Sequence, residues 1–434
     1  MDKKRITTAF LIVLTNAIGA TAILPILPIY VEKQFGATPL QALLVIPAYY
    51  AAQLVASPWL GTWSDRWGRR PVLIVSQIGT IFSYLLFIFA IPLGNSLGLV
   101  YGLSGSLALI YFARLLDGLT GGNVSVAEAY ASDISSEESR ARALGLIGGA
   151  GGLGHILGPA LTVTLSGMSL VAPMVGALVL SGVALLLTVL FLNESLTTES
   201  RVEKKAEIRG TVVQSLRNNG PVTLVIVTAF ITGLYLATLL SSFSLYAERV
   251  LFPGQPANEV IQNVSLLVTA SGLIAAASQI FLVGPLVARF GEGRLVVAGT
   301  LLLLGSALGI STGSLALVLV AVVLYALGYA MSWPSLQTIL TRFSPAESAG
   351  GLLGLFQSAF SLAFIISPAI AGLLLEQLGP RAIFQGGAIL MALATLLGIQ
   401  LLRLLPFATV STTGDLSSGR DSSHLDRVKE NSAD

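Results

Sequence analysis

Twelve apolar runs dictate what this chain can become. They fall near residues 6–31, 40–60, 71–92, 106–131, 141–165 and 170–192, and again near 221–247, 261–287, 294–312, 315–340, 350–374 and 381–404. Each is close to the ~20 residues that carry a helix across a hydrocarbon core. Within lipid a backbone must satisfy its own polar groups, which a helix does. Only 11% of the residues are charged, against roughly 25% in soluble domains. The expected fold is an all-α membrane protein of twelve transmembrane helices, called spans 1–12 below, in two pseudo-symmetric six-helix bundles.

A polar stretch, Asn193–Gly220, parts six spans from six. The expected organisation is an N-terminal bundle (1–192), a cytoplasmic linker (193–220), a C-terminal bundle (221–405) and a disordered tail (406–434) rich in Ser, Asp and Arg. The start, MDKKR and then apolar residues, imitates a secretory signal. Its apolar run is too long for an h-region of ~7–15 residues, so it reads as span 1, retained. Of the Lys and Arg residues outside the spans, 20 fall on the side of the termini and 3 on the other: Lys33, Arg249 and Arg381. That bias places both termini in the cytoplasm and the chain in the inner membrane of a cell.

Several chemistries are excluded. There is no cysteine, hence no thiol catalysis or Cys-ligated metal. Two histidines, His155 and His424, are too few for a histidine metal cluster, so neither metal nor cofactor is expected. No G-x-x-x-x-G-K-[ST] phosphate loop occurs, which rules out ATP as this chain's fuel and leaves ion gradients. The expected partners are a small-molecule substrate, protons and the bilayer, with no nucleic acid and the chain a monomer.

One stretch violates the apolar pattern. Ala113–Asp133 reads ARLLDGLTGGNVSVAEAYASD and places Arg114, Asp117 and Glu128 inside span 4. On a continuous helix Asp117 lies about 60° from Arg114, and Glu128 returns to within about 20° of Asp117, so all three would share one stripe. Charges in hydrocarbon are costly and face a bundle interior or a water-filled cavity, which makes them candidates for proton coupling. An inert i,i+3 pair binding two helices is the plainer alternative. Burial raises a carboxyl pKa and a neighbouring guanidinium lowers it, so Asp117 could alternate between paired and protonated forms. Glu128 lies nearer the cytoplasmic end and could instead receive a cationic substrate.

The halves echo one another. Gly61–Arg70, GTWSDRWGRR, follows span 2, and Gly284–Arg294, GPLVARFGEGR, follows span 8. Such repetition accompanies transporters built from repeats, with the site at the repeat interface. GTWSDRWGRR resembles the loop between spans 2 and 3 of the major facilitator superfamily, with Asp65, Arg66, Gly68, Arg69 and Arg70 in place. The resemblance implies the major facilitator fold and a gating latch. In that latch Asp65 would meet the start of span 11, and Arg69 or Arg70 would meet Asp133. The second-half copy has Ala288 where the aspartate would stand, so only the first latch looks complete.

Other motifs resemble the twelve-span drug:proton antiporters of that superfamily, of the tetracycline- and multidrug-efflux kind. These are N-x-x-G…P-x-L-P-x-Y in span 1, R-x-x-D-G in span 4 and G-x-x-x-G-P (Gly154, Gly158, Pro159) in span 5. The resemblance ties the span 4 arginine to proton handling and the span 5 motif to export. Thr162 and Val163 replace the glycine pair that usually follows that motif, and Asn16 and Ser83 stand where tetracycline exporters carry acids. A metal–tetracycline cation is therefore not the expected cargo. The seven glycines of span 5 suit a helix at a rocking interface between the halves, with plain tight packing as the alternative, and His155 among them reads as a buried, hydrogen-bonded histidine, with a second proton site as the alternative.

Candidates to line a substrate cavity are Asn16, Tyr50, Gln53, Asn123, Tyr235, Gln279, Tyr325, Trp333, Gln337, Gln357 and Phe360, a mostly apolar set with a few polar groups. The expected activity is not enzymatic: secondary active transport, proton-coupled antiport exporting a small amphipathic compound by alternating access. A proton-coupled importer of a sugar or other metabolite is the alternative. An intramembrane serine hydrolase built on Ser104, in G-L-S-G, with His155 as base is a remote one.

Overall fold

The computed structural model describes residues 3–100, 103–121, 123–196, 220–343 and 349–405. Most of the expected linker (197–219) and the whole tail expected to be disordered (406–434) lie outside the described residues. In the first half, span 1 is Lys3–Ile23 continued by Leu27–Phe35, span 2 is Pro39–Trp67, and span 3 is Arg69–Ile88 followed by Ala90–Asn95. Spans 5 and 6 are Glu137–Ser166 and Ala172–Phe191. In the second half, span 7 is Gly220–Tyr246 with a π-turn at Ala247–Leu251, and span 8 is Ala257–Ser278 with a π-turn at Gln279–Val283 and an end piece Gly284–Phe290. Spans 9 to 12 are Glu292–Ser311, Leu315–Arg342, Ala349–Leu378 and Pro380–Leu404.

Among the described residues, eleven of the twelve runs hold a helix long and apolar enough to cross a bilayer. The exception is span 4, which comes in two pieces, Gly105–Thr120 and Asn123–Asp133. Two adjacent glycines, Gly121 and Gly122, stand at the break, where backbone entropy makes a helix interior costly. The pieces, of 16 and 11 residues, are too short singly to span.

Local chemistry sets the other boundaries. Span 1 stops at Ile23 because Pro25 disfavours helical backbone at Leu24, and Pro28 restarts it from the first turn, where its missing N–H is no loss. Thr38 and Gln41 form a reciprocal capping box at the start of span 2. The reversals after spans 2 and 8 pass through Gly68 (φ 107°) and Gly291 (φ 76°), backbone that a side chain would strain.

Within the first half, span 1 packs on spans 5 and 6, and span 4 on spans 2 and 3. In the second half, span 9 packs on spans 10 and 12, and span 7 on spans 11 and 12. Between halves, span 2 meets span 11 and span 5 meets span 8. Spans 1 and 5 are riveted twice. The Thr21 hydroxyl donates to the Gly154 carbonyl at 2.7 Å, and the buried Thr162 hydroxyl donates to the Ala22 carbonyl at 2.6 Å. Ala22 is in the last turn of its helix, where carbonyls lack intrahelical partners. Thr162→Val should therefore lower stability by about 1–2 kcal/mol, read as a lower unfolding midpoint in detergent, because it orphans a buried carbonyl.

The apolar cores are unequal along the axis. One core runs the length of the second half and crosses into the first at the face away from the linker, joining Tyr30 and Ile46 of the first half to Phe364, Phe384 and Tyr246 of the second. At the linker face a separate core, containing Ile6, Leu60, Tyr130 and Ile147, holds residues of the first half alone. Among the described residues, the bundles thus share a core at the far face, and the linker-face core of the first half stands separate from it. The exposed side of span 5 fits that picture: a Cβ added at Gly145, Gly148, Gly149, Gly151 or Gly152 would meet nothing within 4 Å.

Candidate functional site

The charges of span 4 meet, but as a pair and not as three. Arg114 Nη1 lies 3.0 Å from Asp117 Oδ2, and both residues are at most 5% exposed. Three neighbours hold the pair. The Thr80 hydroxyl of span 3 donates to Asp117 Oδ1 at 3.0 Å. The Arg114 guanidinium sits over the rings of Tyr49 (5.6 Å) and Phe87 (5.0 Å). Its Nε and Nη2 are buried and make no hydrogen bond. Gly118 brings span 4 onto the span 2 backbone, since a Cβ there would strike the Tyr49 carbonyl. Gln53 Nε2 donates to the Gly121 carbonyl (2.9 Å) and the Tyr49 hydroxyl (3.1 Å), which fastens the end of the first piece. Ser76 of span 3 bonds the Thr120 carbonyl, and Ser83 bonds that of Ala113 at 2.8 Å. Glu128, on the second piece, is exposed and has no ion pair among the described residues.

This pair is inside the first bundle, between spans 2, 3 and 4, one helix away from the other half. Tyr49 and Tyr50 lead across. Their rings meet edge to face at 5.1 Å, and Tyr50 lies 4.5 Å from Phe364 of span 11. From Phe364 the rings continue through Phe360 (5.0 Å) and Trp333 (4.9 Å) to Tyr329 and Tyr325 (6.4 Å each). Four expected cavity residues, Tyr50, Phe360, Trp333 and Tyr325, therefore stand in one aromatic series. Gln279 and Gln357 are exposed, and Gln337 is half-buried. Asn16 Oδ1 is buried without a hydrogen bond. Two others differ from expectation. Tyr235 is fully buried and donates to Ser306 Oγ at 3.1 Å, so it is scaffold of the second bundle. Gln53 is engaged inside the first bundle. The side chain of Asn123 lies outside the described residues.

The export-motif helix also divides by face. Gly154 and Gly158 press against Ala17 and Thr21 of span 1, within one bundle, while span 5 meets the other bundle at Ile156 against Gly272. The buried motif glycines thus serve close packing inside the first half. His155 is not buried: it is exposed, its Nδ1 is 2.9 Å from the Gly151 carbonyl, and it lines a cavity of about 30 Å³ between spans 1, 5, 7 and 8 with Pro159, Thr21 and Phe243. Ser104 caps span 4 by accepting from the Leu107 N–H at 3.3 Å, and no contact joins it to His155 among the described residues.

At the linker face Arg69 gathers the expected latch. It reaches Asp65 (2.6 Å), Asp133 (3.0 Å) and Ser64 Oγ (2.6 Å). Arg70 donates to the Val189 carbonyl at 2.7 Å, and Arg66 is exposed. Asp65, in the last turn of span 2, pairs across the Gly68 reversal with Arg69 of span 3 and stays largely exposed; residues 344–348, leading into span 11, lie outside the described residues. Sequence reasoning missed Glu194, whose carboxylate accepts the backbone N–H groups of Arg69 (2.9 Å) and Arg70 (3.1 Å). It occupies the N-terminus of span 3, where a negative charge is favoured. The second half proves to have a pair of its own. Glu292, first residue of span 9, binds Arg342 at the end of span 10 (2.7 Å), as Arg69, first of span 3, binds Asp133 at the end of span 4, with the charges exchanged.

Comparison with known proteins agrees with this architecture. The family model described as Major Facilitator Superfamily matches residues 9–255 and 256–419. The chain is 32% identical over 373 residues to the class G tetracycline resistance protein of Vibrio anguillarum, covering 83% of this chain and 87% of that one. It is 26% identical over 381 residues to multidrug resistance protein 2 of Bacillus subtilis (strain 168), covering 85% and 89%. Among solved structures it resembles a D-xylose–proton symporter with a TM-score of 0.71 at 16% identity, covering 93% of this chain and 98% of that one.

Proposed function

The chain belongs to the Major Facilitator Superfamily and is a membrane transporter, not an enzyme; on that premise we propose that it exports a small amphipathic compound in exchange for protons. The observation that carries this reading is the Arg114–Asp117 pair buried within a membrane-spanning bundle. A pair with no water to solvate it is costly to keep, and costlier still when one partner is lost. The surroundings suit a carboxyl that changes charge. A hydroxyl can donate or accept, so Thr80 serves Asp117 as carboxylate or as acid. Tyr49 and Phe87 keep company with the guanidinium in either state, each such contact being worth about 0.5–2 kcal/mol. Drug and tetracycline resistance proteins among the relatives favour export.

The aromatic series of spans 2, 10 and 11 would form the wall for the cargo. An apolar wall of this kind favours an amphipathic solute over a sugar, and the likeness to a sugar symporter carries only the fold. The bias of 20 basic residues to 3 supports a cytoplasmic linker face with both termini on that side. Asp65, Arg69 and Asp133 would act as gate residues there, and the chain would work as a monomer in the inner membrane.

Inverted membrane vesicles test the reading. Ethidium should accumulate in them when they are energised and leave when a protonophore is added. Uptake that ignores the protonophore, or none across a panel of amphipathic cations and neutral drugs, would remove it.

A further inference from the structure

Four charges at the far face take no part in the site described above. Glu32 and Lys33 end the short helix that continues span 1, and Glu248 and Arg249 lie in the π-turn that ends span 7. They pair crosswise between the bundles: Glu32 Oε1 to Arg249 Nη2 at 2.7 Å, and Lys33 Nζ to Glu248 Oε1 at 2.7 Å. Lys33 and Arg249 are two of the three basic residues on that face. Among the described residues, these are the ion pairs that join one half to the other. Glu248 and Glu32 are mostly covered, and Glu32 Oε2 is buried without a hydrogen bond. Nearby, the Leu40 N–H of span 2 donates to Glu376 of span 11 at 3.0 Å. The hydrogen bond from Lys33 to Glu248 holds the ammonium above the usual lysine pKa, so Lys33 stays charged through the physiological range.

We propose that this crossed double ion pair is the far-face clasp of the transport cycle, setting how often the bundles part on that side. It rests on the alternating-access part of the reading above, and not on the proton or the cargo. Because span 1 is interrupted at Leu24–Ile26, the piece bearing Glu32 and Lys33 can lean on span 7 without the rest of span 1. The neutral sum of the four charges makes the clasp specific: each half offers an acid followed by a base, and the two meet crosswise, so reversing any one sets like charge against like.

The absence of native cysteine allows the test to be clean. Spin labels at Gln34→Cys and Gln255→Cys in the full-length protein, in lipid nanodiscs, report the far-face separation without any transport assay. Glu32→Arg should raise the ratio of far-face-open to closed molecules about threefold to tenfold, the scale expected for losing a partly covered pair. The double swap Glu32→Arg with Arg249→Glu should return it toward the parent ratio. Lys33→Glu and its swap with Glu248→Lys should behave alike, and Glu32→Gln should move the ratio less but in the same direction. If reversal leaves the ratio unchanged, or if the swaps fail to restore it, the clasp is wrong while alternating access stands. If neither parent nor variant shows an open population, the clasp and alternating access fall together.

Discussion

Asp117→Asn should abolish concentrative efflux. A proton moving down ~100 mV and one pH unit supplies about 3.7 kcal/mol, enough for a solute gradient of about 500-fold. Asparagine fills the same space and can still accept from Thr80, but it neither titrates nor balances Arg114. In proteoliposomes with an imposed proton gradient, the accumulation ratio of ethidium should fall to about one. Downhill exchange should persist, because the aromatic wall is untouched. The substitution should also cost about 3–5 kcal/mol of stability, since a buried guanidinium is left uncompensated; the rings of Tyr49 and Phe87 offset part of that. Asp117→Glu keeps the charge and should retain some coupling. Proton-driven accumulation that survives in the asparagine variant would strip Asp117 of its role.

The second large effect is structural and divides one helix by face. Gly158→Leu should prevent span 5 from seating on span 1, because even a Cβ there would collide with Thr21 and crowd the Ala22 amide. Overpacking of a well-packed site costs about 1–3 kcal/mol, and a leucine against two backbones belongs at or beyond the top of that range. The Thr21 and Thr162 rivets on either side would part with it. The expected outcome is a large loss of monodisperse protein and a lowered unfolding midpoint. Gly149→Ala, only nine residues away, has open space before it and should leave both nearly unchanged. Equal damage from both would mean that the glycines answer to something other than close packing.

Much of the fold was legible because the bilayer admits so few solutions. Run length located the crossings, and the motif around Gly68 marked the reversal after span 2. Span 4 reads as one apolar run, but Gly121–Gly122 within it carries a cost to a helix interior that is visible in the sequence. The Arg114–Asp117 contact was legible because i,i+3 geometry is local. Its partners Thr80, Tyr49 and Phe87 were not, because they come from other helices and carry no spacing signal. Glu194 was hidden for the same reason, standing 125 positions from the Arg69 amide it accepts. His155 and Tyr235 were misplaced because burial inside a polytopic chain depends on which helix faces which, and apolar sequence surrounds lipid-facing, cleft-facing and core residues alike. Lys33 and Arg249 were counted for topology alone; that they meet acids across the bundles is a tertiary fact.

The lopsided core has a kinetic corollary. A seam zipped at one end makes the molecule a wedge, and turning the wedge over means unzipping the rings and aliphatic chains around Tyr30 and Phe364. Two orientations can trade places during turnover only if their free energies differ by a few kcal/mol. The first-half surface at the linker face must therefore be able to zip nearly as well, and the bare, glycine-studded flank of span 5 is the stretch shaped for that. Adding grease to either end alone would tip the balance and stall the machine, so the tightest far-face seal is not the fastest pump.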